Sequence, residues 1–244
     1  MSVPQRDDQD GPRNPGPPPG PPAGPPQGPP SGPPPSPPRA PVFNAMPPAV
    51  VLIALGIVGV SVLGQVLPGF QRWILNAGVF IAAERGTALP DQPLGPFAPY
   101  LLHVFIHAGL LHIAMNLAIL VATGRAVGEQ LGSGLKGSLG FVLLFFACAI
   151  TGSGLEMLMH QGPPTPMVGA STAVSGLIAA AGWVRGGWRG MAQLALPWIG
   201  INLIFGLLGD MMPIPIAWVG HIGGTVGGII LTPLVLAVFS ERAP

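Results

Sequence analysis

Long apolar runs separated by short polar stretches make up most of this chain. Beyond about residue 46 they form about six segments, several of which approach the ~20 residues that a helix needs to cross ~30 Å of hydrocarbon. The pattern predicts an all-α, polytopic membrane protein with six transmembrane helices. Their approximate bounds are Ala49–Leu67, Tyr100–Thr123, Ser138–Met159, Ser171–Val184, Met191–Leu208 and Trp218–Phe239.

The first 46 residues have a different composition. The stretch from Gly11 to Pro41 is almost wholly Pro, Gly, Ser and Ala, which lacks the apolar side chains needed to build a core. Proline runs favour extended polyproline II. We therefore predict a disordered tail over residues 1–46 and a six-helix membrane domain over residues 47–244. Composition does not identify a partner for the tail.

The low content of charged residues supports the prediction of a membrane protein. Only 8% of the residues are charged, 49% are hydrophobic and the mean hydropathy is +0.57, whereas soluble domains carry about 25% charged residues. The net charge of +1 argues against nucleic-acid binding, which demands a basic patch.

The distribution of Lys and Arg predicts an orientation, because cytoplasmic loops carry an excess of these residues. With the N-terminus in the cytoplasm, the outer side receives only Arg72 and Arg85. The cytoplasmic side then receives the other eight of the ten: Arg6, Arg13, Arg39, Arg125, Lys136, Arg185, Arg189 and Arg242.

A serine and a histidine stand at the starts of the fourth and sixth segments. Gly-Ala-Ser-Thr at residues 169–172 opens the fourth, and Gly-His-Ile-Gly-Gly at residues 220–224 opens the sixth. Polar groups inside a membrane are costly and are functional candidates by default. We expect Ser171 to be a nucleophile and His221 its general base, with the free N–H groups at the start of the fourth helix facing a developing oxyanion.

Two further polar residues accompany this pair. His112 and Asn116 are four residues apart on one face of the second segment, from which they can add side-chain donors for the oxyanion. No carboxylate lies in the mid-membrane part of the second, fourth or sixth segment, which predicts a Ser-His dyad without an orienting acid.

Small residues at helical spacing predict a close approach of the fourth and sixth helices. The expected contact faces are Ser171, Ser175, Ala179 and Gly182 on the fourth helix, and Gly220, Gly224 and Gly228 with Gly223 and Gly227 beside them on the sixth.

These motifs together resemble those of the rhomboid family of intramembrane serine proteases. They are HAGLLHIAMN at residues 107–116, Gly-Ala-Ser171, Gly-His221-x-Gly-Gly and Leu-Gly-Ser-Gly at residues 131–134. The resemblance runs from about Pro47 to Phe239 and implies the six-helix rhomboid fold. It implies that Ser171 and His221 are catalytic and that His112 and Asn116 belong to the oxyanion hole.

The resemblance also implies a substrate, namely the transmembrane segment of another membrane protein, cut near its outer end within the lipid bilayer. We expect that bilayer to be a bacterial inner membrane.

Three positions depart from the family's usual pattern. Thr172 follows the serine, where glycine is usual, and should hold the helices slightly apart unless Gly223 or Gly224 makes room. Ser175 stands where an aromatic residue often lies beneath the histidine ring. Ala98-Pro99 replaces the Trp-Arg pair common in the first loop.

Other classes remain as alternatives. One is a proteolytically inactive rhomboid-like protein that binds membrane helices. Another is a transporter or channel in which the polar residues line a path, although no inverted repeat is evident. A metal site would use His103, His107, His112 and His221, but no HExxH motif or intramembrane carboxylate supports one. We therefore expect no metal and no cofactor, and place His103 at the membrane interface.

Overall fold

The computed structural model of the chain describes residues 46–211 and 216–241, together with Gly16 and Gly20. The predicted tail, residues 1–46, lies outside the described residues apart from Met46 and these two glycines. Its disorder and its boundary with the membrane domain therefore stay predictions.

Helices dominate the described part of the chain. The α-helices are α1 (Pro48–Val66), α2 (Pro68–Gly78), α3 (Pro99–Leu102), α4 (Leu110–Leu131), α5 (Leu135–Met159), α6 (Ser171–Leu208) and α7 (Trp218–Phe239). Short 3-10 turns cover His103–Phe105 and Gly209–Met211, and the strands are β1 (Phe80–Ala82) and β2 (Thr165–Met167). Five of the described helices, α1, α4, α5, α6 and α7, are long and apolar enough to cross a membrane. The prediction of a polytopic helical membrane protein is confirmed.

The fourth and fifth predicted segments both lie in α6, which spans 38 residues. Its backbone leaves the helical conformation at Gly186 and Gly187, where φ is −167° and 55°. A Cβ on Gly182 would lie 2.8 Å from the Cα of Met191, an approach that a straight helix rising 1.5 Å per residue does not allow. The chain therefore folds back on itself within α6, and the count of six spans stays a prediction.

The second segment begins later than predicted. Instead of one helix from Tyr100, the structure has α3, a 3-10 turn and an extended Ile106 before α4 starts at Leu110. Gly109 is the N-cap of α4, and glycine's low helix propensity favours a break here. His112 consequently lies in the first turn of α4, at the end of the helix rather than deep within it.

A two-stranded sheet ties the first loop to the segment before α6. β1 pairs antiparallel with β2, with Phe80 opposite Met167 and Ala82 opposite Thr165. These strands bury Phe80, Ala82 and Met167 in a small cluster that Tyr100 also contacts. The loop after α1 is thereby fastened next to the start of α6.

The main core lies among α1, α4, α5, α6 and α7. Its largest fully buried side chains include Phe141 and Phe145 of α5 and Leu120 of α4. Large apolar side chains such as Leu196, Leu207 and Leu234 point outward, as expected of a surface that faces lipid rather than water.

The contact between α6 and α7 uses a face of α6 next to the predicted one. Gly224 and Gly228 of α7 pack on the backbone of Thr172 and Gly176, not on Ser171 and Ser175. Ala179 packs with Met191 and Ala195 after the kink, and Ile229 of α7 packs against the same cluster. Gly223 and Gly227 face Thr151 of α5. The predicted close approach is present, but at the start of α6 the contact uses Thr172 and Gly176, each one residue after the predicted Ser171 and Ser175.

We predict that Gly224→Ala destabilises the protein by about 1–3 kcal/mol or more, the usual cost of overpacking. A Cβ at this position would overlap the carbonyl group of Thr172, which is backbone and cannot turn aside. Gly154→Ala on α5 is the matched control, because a Cβ there meets nothing within 4 Å. Thermal unfolding in detergent would measure both variants, and equal stability of the two would contradict this account of the seam.

Candidate active site

Ser171 is the first residue of α6, directly after a turn that requires glycine. Gly169 has φ of 105°, in the left-handed region that favours glycine. The first N–H groups of a helix have no acceptor within the helix, so donors surround the half-buried Ser171 side chain. The Ser175 hydroxyl donates to the Ser171 carbonyl at 2.6 Å, which commits Ser175 to the helix backbone.

His112 and Asn116 of α4 lie over the turn that leads into Ser171. A Cβ on Gly169 would stand 2.6 Å from Nε2 of His112 and 3.7 Å from Nδ2 of Asn116. The Ala108 N–H donates to Nδ1 of His112 at 3.4 Å, so the neutral ring carries its proton on Nε2, facing the turn. Asn116 is buried, and its Nδ2 donates to the His112 carbonyl at 2.9 Å, which leaves a second N–H on the same atom.

His221 is held by the second half of α6. Its Nδ1–H donates to Oδ1 of Asn202 at 2.7 Å. The ring also stacks on Trp198, with 6.1 Å between centroids and 30° between planes. Trp198 thus supplies the aromatic neighbour of the histidine that position 175 lacks.

Sequence reasoning missed both Asn202 and Trp198. A usable signal was present, because Asn202 is an amide within the apolar run Met191–Leu208, and intramembrane polar residues are functional candidates.

The start of α6 and the start of α7 meet backbone to backbone. Gly224 packs on the Thr172 carbonyl, and a Cβ on Gly220 would stand 3.3 Å from Cγ2 of Thr172. The branched Thr172 side chain is thus accommodated by Gly220 and by Gly152 of α5, rather than by Gly223 or Gly224 as expected, because Gly224 meets only the Thr172 backbone.

The Ser171–His221 pair itself is not joined in this structure. Among residues 46–211 and 216–241, no hydrogen bond links the Ser171 hydroxyl to His221. The packing of their neighbours brings the two residues to the same level of the bundle, and the catalytic roles of Ser171, His221, His112 and Asn116 stay predictions.

Glu156 of α5 anchors the start of α7. Its Oε2 accepts the Gly220 N–H at 2.7 Å, which satisfies one of the free donors in the first helical turn. A negative charge at a helix N-terminus is favourable. Glu156 therefore positions the residue directly before His221 without contacting the ring.

His103 is fully buried within the protein, and its predicted position at the level of the membrane interface stays a prediction. Burial lowers the pKa of His103 from 6.5 to about 4, so the ring is neutral at pH 7 and carries one N–H. The Pro99 carbonyl accepts Nδ1–H at 2.8 Å, and Nε2 therefore accepts the Thr172 hydroxyl at 3.2 Å. The His103 carbonyl accepts the Gly169 N–H at 2.9 Å. His103 thus links the first loop to both sides of Ser171.

Comparison with known proteins points to one family. A family model described as the rhomboid domain matches residues 95–238. The chain is 33% identical over 129 residues to rhomboid protease GluP of Bacillus subtilis (strain 168), covering 51% of this chain and 23% of that protein. It is 29% identical over 140 residues to RHOMBOID-like protein 7 of Arabidopsis thaliana, covering 54% of this chain and 41% of that protein. The chain spans less than half the length of these curated relatives.

We predict that Thr172→Val destabilises the protein by about 1–3 kcal/mol, the cost of leaving a buried acceptor unsatisfied. Valine keeps the shape of the side chain but cannot donate to Nε2 of His103. Thr232→Val is the matched control, because that buried hydroxyl donates only to the Gly228 carbonyl of its own helix. Thermal unfolding would measure both; an equal loss in the two variants would contradict the role given to the His103 hydrogen bond.

Proposed function

The chain belongs to the rhomboid family, and we propose that it is an intramembrane serine endopeptidase acting through Ser171 and His221. Its substrates are transmembrane segments of other membrane proteins, cut near their outer ends. The observation that carries the proposal is the junction around the Gly169 turn. His112 and Asn116 lie over the turn, Ser171 follows it, and α7 packs on Thr172 one helical turn from His221.

In the first step, the Ser171 hydroxyl attacks the scissile carbonyl carbon. Nε2 of His221 takes the Oγ proton as the C–O bond forms, and the carbonyl oxygen becomes an oxyanion. The N–H groups at the start of α6, Nε2–H of His112 and the second Nδ2–H of Asn116 are the donors available to that oxyanion. Each such donor typically contributes ~2.7–4 kcal/mol to transition-state stabilisation.

In the second step, the C–N bond breaks and His221 returns its proton to the leaving amine nitrogen. Water then attacks the acyl-enzyme, giving one proton to His221, and the Ser171–acyl bond breaks to release the acid product and restore the hydroxyl. No carboxylate contacts the imidazole among the residues described in α4 to α7. The proton therefore moves between Ser171, His221, water and the leaving group alone.

The proposal includes an orientation and a domain plan. The excess of Lys and Arg on one side supports a cytoplasmic N-terminus. We propose a disordered tail over residues 1–46, a membrane domain over residues 47–244 and a bacterial inner membrane as the site of action. The chain starts α6 and α7 from the same side, because α6 folds back on itself at Gly186 and Gly187.

We predict that Ser171→Ala abolishes cleavage of a single-span reporter protein, while Ser175→Ala retains most of it. Of the two serines, only Ser171 lies at the helix N-terminus, and its hydroxyl makes no hydrogen bond among residues 46–211 and 216–241. Ser175 donates to the Ser171 carbonyl. The measurement is in-gel cleavage by purified wild type and both variants in liposomes.

Two outcomes would contradict the proposal. Equal loss of cleavage in both folded variants would remove Ser171 as the nucleophile. A folded wild type that binds reporter helices but never cleaves them, across a panel of transmembrane segments, would favour the proteolytically inactive rhomboid-like alternative.

A further inference from the structure

We propose that Asn202 is a positioning residue that holds His221 in the tautomer whose Nε2 is free to accept the Ser171 proton. The inference rests on the proposed protease function, because only a general base needs that tautomer. A neutral imidazole carries one proton on either ring nitrogen, and the hydrogen bond made by the other nitrogen decides which. Here Nδ1 and Oδ1 of Asn202 are 2.7 Å apart.

The amide of Asn202 is itself fixed in one orientation. Its Nδ2 donates to the Trp198 carbonyl at 2.8 Å. Exchanging the oxygen and nitrogen of the amide would place Oδ1 against that carbonyl, so that two acceptors would face each other. Oδ1 must therefore face His221, and an oxygen there can only accept Nδ1–H.

Burial strengthens the hydrogen bonds by which Asn202 holds His221. The Asn202 side chain is 0% exposed, so water does not compete for its amide. The two hydrogen bonds are stronger in such surroundings than in water. An amide also carries no charge at pH 7, so Asn202 orients the imidazole without acting as the acid of a charged triad.

Trp198 supports His221 through both its backbone and its side chain. Its carbonyl holds Nδ2 of Asn202, and its indole ring stacks on the His221 ring. The contact with the Trp198 indole thus restricts rotation of the His221 ring, and Oδ1 of Asn202 fixes its tautomer. Both groups lie within one turn of the second half of α6, which makes that half-helix the support of His221.

The kinetic test compares three variants in the whole chain of 244 residues. Asn202→Leu keeps a similar volume but has no acceptor, so we expect kcat to fall by about 10- to 10²-fold, with KM changed far less. That loss is at or below the lower end of the ~10²–10⁴ supplied by a positioned general base, because His221 remains. Asn202→Asp keeps an oxygen that accepts Nδ1–H, and because burial favours the protonated carboxyl, its second oxygen can donate to the Trp198 carbonyl as Nδ2 did. This variant should recover most of the lost kcat. Thr232→Val, which removes a buried hydroxyl of α7, is the control and should retain kcat.

A spectroscopic test needs no variant. The 15N shifts of the His221 ring in wild type, assigned by comparison with His221→Gln, should give a protonated Nδ1 and an unprotonated Nε2 at pH 7.5. A protonated Nε2 would overturn the inference, as would unchanged kcat in Asn202→Leu or an equal loss in Thr232→Val. If Asn202→Leu does not fold, the wild-type shifts and the Asn202→Asp kinetics decide.

Failure of the inference and failure of the proposed function give different results. If wild type cleaves, Ser171→Ala does not, and Asn202→Leu cleaves normally, only the role of Asn202 is wrong. If wild type does not cleave any reporter, the protease proposal fails and the inference fails with it.

Discussion

The close approach of α6 and α7 at Thr172 and Gly224 is the contact on which the rest of the site depends. Lipid gives helices little hydrophobic reason to associate, so packing and hydrogen bonds must hold them together. Gly152 of α5 completes the junction, since a Cβ there would stand 2.6 Å from Cβ of Thr172 and 2.7 Å from the Gly220 carbonyl oxygen. Three helices therefore meet around Thr172 at glycines that leave no room for a further side chain, immediately beside Ser171 and His221.

Buried polar groups then position the ends of these helices. Glu156 accepts an N–H at the start of α7, and His103 receives the Thr172 hydroxyl while its carbonyl accepts the Gly169 N–H. Each hydrogen bond spans two elements that are distant in sequence. Breaking one would leave an unsatisfied group in a region with little water, at about 1–3 kcal/mol. The same bonds that stabilise the bundle thus keep the Gly169 turn and the start of α7 in place.

Apolar length and motif spacing were enough to predict the membrane class, the family resemblance and the placement of small residues between the helices. The face of α6 that contacts α7 was harder to predict. Ser171, Thr172, Ser175 and Gly176 are all small, and neighbouring positions differ by about 100° around a helix. Composition cannot choose between two such faces, whereas backbone packing on Gly224 does. The late start of α4 escaped prediction because the residues before it are apolar enough to continue a helix.

The pairing of Asn202 with His221 escaped prediction for a different reason. Its partner, His221, lies in another helix, and no local pattern pairs an amide with a distant imidazole. The folding back of α6 at Gly186 and Gly187 creates that pairing, through glycines that read as an ordinary loop. Trp198 was equally hidden, since the aromatic neighbour of the histidine was sought four residues after Ser171 rather than on the returning half of α6.

The most direct test of the central claim, that the α6–α7 contact delivers His221 to Ser171 as its base, is labelling by a fluorophosphonate probe. The rate of labelling and the modified residue would be determined by mass spectrometry for wild type and for His221→Ala. The account predicts modification at Ser171 in wild type and a rate lower by about 10²-fold or more without the imidazole. Equal rates in the two proteins, or modification at another serine, would contradict it.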